Sequence, residues 1–105
     1  MLIRIADEFT KIPGGRHISD GPHSGEEFRE KMLKPAFYDA KMKKEKLVVD
    51  LDGGFGYGTS FLDEAFGGLA RVTKDPEVLN IQIISTEEPT LVERVMSFMK
   101  SGLGR

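Results

Sequence analysis

The chain contains no cysteine. Disulfides, thiolate catalysis and cysteine metal clusters are therefore excluded. An excess of positive charge is missing as well. Fifteen basic side chains face 17 acidic ones, for a net charge of -2, so no broad basic field exists to draw in a polyanionic backbone, and nucleic acid is not the expected partner. Long apolar runs are also absent. The one early apolar stretch, Leu2 to Ala6, is interrupted by Arg4 and is too short for a signal-sequence core or a membrane span. A cytoplasmic protein without a membrane partner is the expectation. What remains is 105 residues with 39% hydrophobic and 30% charged side chains. That is enough for one modest core and too little for two, so residues 1–105 read as a single domain.

Hydrophobic periodicity orders the elements. Leu2 to Ala6 reads as a strand rich in β-branched residues and closed by Asp7 and Glu8. Pro13, Gly14, Gly15, Gly21, Pro22 and Gly25 then punctuate the chain too often for a helix, leaving room for a short strand near Arg16 to Ser19. Ser24 and Glu27 have the spacing of a capping box and predict a helix start. Phe28, Met32, Leu33, Ala36, Phe37 and Ala40 follow as one apolar stripe. Pro35 inside that stripe predicts a kink or two abutting segments, and Lys41, Lys43, Lys44 and Lys46 suit a solvated helix end.

Leu47 to Asp52 is the clearest strand, with Leu47, Val49 and Leu51 on one face and Val48, Asp50 and Asp52 on the other. Ile81 to Ile84 is similar, so the sheet should have one apolar and one mixed face, helices covering only the first. Between these strands, Phe61 to Thr73 reads as a helix carrying Gly67-Gly68, a pair that suits close backbone approach to the sheet or to a partner. Ser60 and Asp63 have capping-box spacing at its start. A last helix opens at Pro89 and ends at Gly102. Strands alternating with helices imply a small α/β layer whose central pair is parallel, with an antiparallel contribution at the amino end.

Chemistry can sit in Asp52-Gly53-Gly54-Phe55-Gly56-Tyr57-Gly58-Thr59-Ser60, which leads from the carboxyl end of the central strand into a helix, where α/β sheets place ligands. A P-loop needs lysine where Thr59 stands, and the dinucleotide fingerprint needs glycine there, so both readings fail at the residue that matters. Helix-start amides can still hold one anion. The Gly14-Gly15-Arg16-His17-Ile18-Ser19-Asp20 loop is the second candidate. Arg16 offers a fork for a phosphate or carboxylate, or it pins the loop by pairing with Asp20 or Asp52. His17, Asp20 and His23 make too weak a pattern for zinc, and no metal or cofactor is expected. No spacing of acid, base and nucleophile specifies a reaction, so an enzyme ranks last.

The run Leu47-Val48-Val49-Asp50-Leu51-Asp52 followed by Tyr57-Gly58-Thr59-Ser60-Phe61-Leu62 resembles the core motif of STAS domains, the module shared by sulphate transporters and anti-sigma factor antagonists. Pro13-Gly14-Gly15-Arg16, Ser19-Asp20-Gly21-Pro22, Ser24-Gly25-Glu26-Glu27-Phe28 and Tyr57-Gly58 through Ala65-Phe66-Gly67-Gly68-Leu69 are similar to a prokaryotic STAS-like family with no assigned function. The resemblance implies an α/β layer with a mixed sheet of about four to five strands, covered by helices mainly on one face. It also implies a non-catalytic, partner-switching role in signal transduction, with a histidine-kinase-like ATPase as the protein partner; a monomer or weak homodimer is the expected form, Val48, Ile84 and Leu2 on the mixed face offering an apolar contact. The antagonist phosphoacceptor falls on Thr59, with Ser60 adjacent. Gly58 stands where antagonists commonly carry aspartate, and threonine replaces their commoner serine.

The expected docking surface comprises Gly14, Gly15, Arg16 and Asp20 together with Asp52, Gly53, Gly54, Tyr57 and Gly58. The alternative is a small-ligand sensor that holds a nucleotide or other anion on the Gly-rich loop and Arg16.

Overall fold

A computed structural model describes residues 1–105. The three runs rich in β-branched residues become strands β1 (Leu2–Arg4), β2 (Val48–Asp50) and β3 (Gln82–Ile84). They pair in parallel in the order β1-β2-β3, with Ile3 opposite Val49 and Val49 opposite Ile83. Alternation along the strands sends Ile3, Val49 and Ile83 into the core. Leu2, Arg4, Val48, Asp50, Gln82 and Ile84 stand on the other face, which is the mixed one.

The sheet has three parallel strands, not the expected mixed sheet of four to five. Two local causes account for the difference. Past Arg4 the chain turns at once into a short helix, α1 (Ile5–Glu8). The stretch expected as a strand near Arg16 to Ser19 has its hydrogen bonds taken locally and by the following helix. Asp20 Oδ2 accepts the His17 amide at 2.9 Å, the Glu26 carboxylate accepts that of Ile18 at 2.9 Å, and the carbonyls of Gly15 and Arg16 accept the amides of Gly25 and Glu26 at 2.9 and 3.0 Å. With those groups committed, no ladder forms, and Ile18–Asp20 closes as a 3-10 turn.

The first long helix, α2, spans 25–43 as an α turn Gly25–Phe28, a π turn Arg29–Leu33 and an α segment Lys34–Lys43. Ser24 Oγ accepts the Glu27 amide at 3.0 Å as the spacing predicts, while the Glu27 carboxylate reaches back one residue further, to the His23 amide at 3.1 Å. The break expected at Pro35 takes the form of abutting segments, the π turn lying just ahead of the proline.

The second long helix, α3, spans 59–73 and has the same construction, with a π turn at Asp63–Gly67 between Thr59–Leu62 and Gly68–Thr73. It starts at Thr59, so both hydroxyls stand at the helix start, and Ser60 does not cap it: Gly58 is the capping residue and makes no side-chain bond. Helix α4 (Thr90–Gly102) closes the layer. None of these helices is long and apolar enough to cross a membrane.

All three long helices meet over the apolar face. Phe28 of α2 stacks on Phe61 of α3 at 6.1 Å and packs against Phe66 at 6.2 Å. All three rings are fully buried, a contribution of roughly 1.5–3 kcal/mol each. The Gly67-Gly68 pair makes its close approach to helices, not to the sheet. A side chain on Gly102 of α4 would stand 2.6 Å from the Gly67 carbonyl, and one on Gly68 would collide with the Arg29 guanidinium. That guanidinium, 9% exposed, links α2 to α3: it donates to the backbone carbonyl of Glu64 at 2.9 Å and to its carboxylate at 2.5 Å, and its Nε meets Glu30 at 2.9 Å. The backbone contact falls inside the π turn of α3, so an arginine enters where the ladder departs from α spacing.

Candidate functional site

Residues 51–58 connect the carboxyl end of β2 to α3, and the fold holds this loop by hydrogen bonds to two other segments and by one across the loop itself. Asp52 is the first anchor. Its carboxylate accepts the Thr86 amide at 2.9 Å, the Thr86 hydroxyl at 2.6 Å and the Glu87 amide at 3.0 Å. The Glu87 amide and the Thr86 hydroxyl favour the charged form and hold this carboxyl below the usual range. Glu87 returns the contact, its carboxylate accepting the Gly53 amide at 2.6 Å. Tyr57 is the second anchor, donating its hydroxyl to the Leu51 carbonyl at 2.9 Å. Burial, then the charges of Asp50, Asp52 and Glu87, raise its pKa far above the ordinary phenol. The third anchor is the Phe55 amide, bonded to the Lys11 carbonyl at 2.9 Å.

Left-handed backbone at Gly53 (φ 94) and Gly56 (φ 116) brackets Phe55, a conformation that side-chain-bearing residues resist. The result is an aromatic ring fixed at the backbone yet 83% exposed, and Ile12, next to the Lys11 carbonyl that anchors it, is 69% exposed. Beside Phe55 lies a cleft of about 310 Å³ lined by Asp52, Gly54, Phe55, Tyr57, Glu87 and Glu88 among others. Its only ionisable groups besides the tyrosine are carboxylates.

Thr59 and Ser60 follow as the first two residues of α3. Both are exposed, and neither hydroxyl caps the helix. Arg16 approaches the same helix one turn further on: its Nη1 lies 2.7 Å from Asp63 and 3.3 Å from Glu64. Those two positions are four residues beyond Thr59 and Ser60 respectively, so each hydroxyl shares a helix face with a carboxylate that holds Arg16. The structure thus brings Asp52, Gly54 and Tyr57 to the cleft, ties Gly53 to Glu87 of its wall, and sets Gly58, Thr59, Ser60 and Arg16 along the start of α3.

Arg16 pairs with neither Asp20 nor Asp52. Asp20 closes its own turn, and Asp52 is saturated by the loop after β3. Gly14 and Gly15 join the loop to the start of α2 through the backbone: Gly14 donates to the His23 carbonyl at 2.8 Å, and Gly15 accepts from Gly25. His17 stands 3.5 Å from Glu26, while the His23 ring meets Phe9 edge-on. Sequence reasoning passed over Phe55 and Ile12, whose signal was a large apolar residue between glycines and another beside Pro13. Glu87 and Glu88 stand directly ahead of Pro89 in the sequence. Both belong to the cleft wall.

A second cavity, about 230 Å³, opens at the amino ends of β2 and β3 among Phe37, Leu47, Ile81, Lys41, Lys44 and Glu77. Lys41 is engaged there by Asp75 at 2.5 Å and Glu77 at 3.4 Å.

Comparison with curated proteins and with solved structures found no match for the chain in either case. A family model does match, over residues 24–89, from the cap of α2 through β2, the Gly-rich loop and α3 to the end of the segment that Asp52 anchors. By that match, which covers more than half of its length, the chain belongs to the family described as the STAS-like domain of unknown function (DUF4325).

Proposed function

We propose that the protein is a regulatory, non-catalytic protein-binding module of the partner-switching type, docking through the ridge of Phe55 and Ile12 and controlled by phosphorylation of Thr59, with Ser60 the adjacent hydroxyl. One observation carries the reading: Phe55 is held out at 83% exposure by a loop whose own backbone is tied down on both sides. Burying such a ring against a second protein releases apolar surface from water at little ordering cost, because the loop is already fixed.

The geometry around Thr59 supports the control. A phosphate there would add about -1.5 to -2 charge, one helical turn from the Arg16 guanidinium and beside an apolar contact that must shed water. Arg16 would be shared between the phosphate and Asp63, and a hydrated dianion at the rim opposes docking. The resemblance to anti-sigma factor antagonists supports a histidine-kinase-like ATPase as the protein docked. The anion-sensing alternative has less in its favour, since Arg16 is already engaged by two carboxylates and the cleft beside the Gly-rich loop is acidic.

The test is a pull-down with the candidate ATPase using the wild type, Phe55→Ala and Thr59→Glu, alongside circular dichroism. Binding lost in both variants with unchanged spectra is the expected result. Equal capture of wild type and Thr59→Glu would remove the switch, and equal capture of Phe55→Ala would remove the docking ridge.

A further inference from the structure

The cleft beside Phe55 has a composition that selects its occupant. Three carboxylates, on Asp52, Glu87 and Glu88, line it, and no lysine, arginine or histidine does. Two of them are fixed by backbone amides, Asp52 by Thr86 and Glu87, and Glu87 by Gly53. Glu88 gives its backbone carbonyl to the Ser85 hydroxyl at 2.7 Å, while its exposed carboxylate has no ion partner in the chain. Aromatic and apolar groups supply the rest of the lining: Tyr57 and Phe55, with Leu51 and Leu91. The volume of about 310 Å³ lies at the small end of ligand pockets, which run from about 300 to 1,000 Å³. It admits one long side chain more readily than a nucleotide.

We propose that this cleft receives an arginine side chain from the docked protein, next to the apolar residue that meets Phe55 and Ile12; this rests on the protein-docking reading above and adds the chemistry by which the partner is recognised. A guanidinium fits on three counts. It is cationic where every fixed charge of the lining is negative. Its planar face can lie against an aromatic ring, and its fork can take two carboxylate oxygens at once. It is also less strongly hydrated than an ammonium, so entry costs less desolvation. The same composition repels phosphates and carboxylates, so the cleft selects between partners as well as holding one.

The experiment titrates the isotope-labelled full chain with N-acetylarginine methylamide and, separately, with its uncharged isostere N-acetylcitrulline methylamide, following amide resonances. The arginine derivative should shift Gly53, Phe55, Thr86 and Glu87 saturably in the millimolar range, the citrulline derivative should not, and Glu88→Gln should weaken the response by about fivefold. Equal response to citrulline, indifference to Glu88→Gln, shifts centred elsewhere, or none at all would each overturn the proposal. The docking reading is decided separately in the pull-down. Partner capture that depends on Phe55 while the cleft ignores arginine sinks only the present inference. An arginine-specific response with capture unaffected by Phe55→Ala or Thr59→Glu sinks only that reading.

Discussion

Arg29 shows how much one side chain settles here. Only 9% exposed, it joins α2 to α3 through Glu64, while Glu64 also serves Arg16. Burial would raise the Glu64 pKa, but the hydrogen bonds from Arg29 and Arg16 outweigh it and hold the carboxyl below its ordinary value. Removing that carboxylate leaves a desolvated guanidinium with Glu30 and one backbone carbonyl as its remaining partners. Glu64→Ala should therefore destabilise the fold by about 2–3 kcal/mol, read as a lower urea midpoint, with Glu64→Gln costing less. A loss within experimental error would show that Arg29 is solvated rather than paired. None of this was legible in the sequence, which shows Arg29 and Glu64 as ordinary outward positions of two helices. Their pairing depends on how α2 lies across α3, and no local spacing encodes that.

Elements were more legible than pairings, because periodicity is a local property. The Ser24 cap, the apolar stripe of α2, the three strand cores and the position of α4 all follow from steps of two or of three and four. The π turns were not legible. That of α3 lies where contacts from outside intrude, Arg29 at Glu64 and Gly102 against Gly67. Gly67-Gly68 announced a close approach but not its partner, which is α4 together with Arg29 instead of the sheet. That crossing gives a prediction at this scale. In Gly102→Ala the added methyl would stand 2.6 Å from the Gly67 carbonyl and 2.8 Å from the Ala70 side chain, so α4 must move off α3. A cost of about 1–3 kcal/mol is expected, seen as a lower melting temperature, although alanine is the better helix former. Unchanged or raised stability would mean that the two helices are not in contact at this point.

For the molecule as a whole, the carboxylates tie together segments that are distant in the chain. Asp52 is held below the ordinary range by the Glu87 amide and the Thr86 hydroxyl, and Asp75 by Lys41 and the Glu77 amide. For Asp63, burial pulls the other way and the bonds from Arg16 and Arg71 prevail. A depressed folded-state value means that each group contributes fully above its unfolded pKa, about 3.9 for aspartate, and that the contribution is lost as pH falls through the lower folded value. Urea midpoints should therefore decline progressively below about pH 5. A midpoint that stays constant through the acid range would show the anchors to be energetically idle. Residue order alone determined that this is an α/β layer, that one sheet face is apolar and the other mixed, and that a glycine-rich loop leads from the central strand into a helix carrying two hydroxyls, since each of these follows from patterns within about ten neighbouring residues. Only the tertiary structure decided that the sheet stops at three strands, that Arg16 serves α3 instead of the Gly-rich loop, and that Phe55 stands free above an acidic cleft, because each depends on which distant groups compete for the same hydrogen bonds, charges and cover.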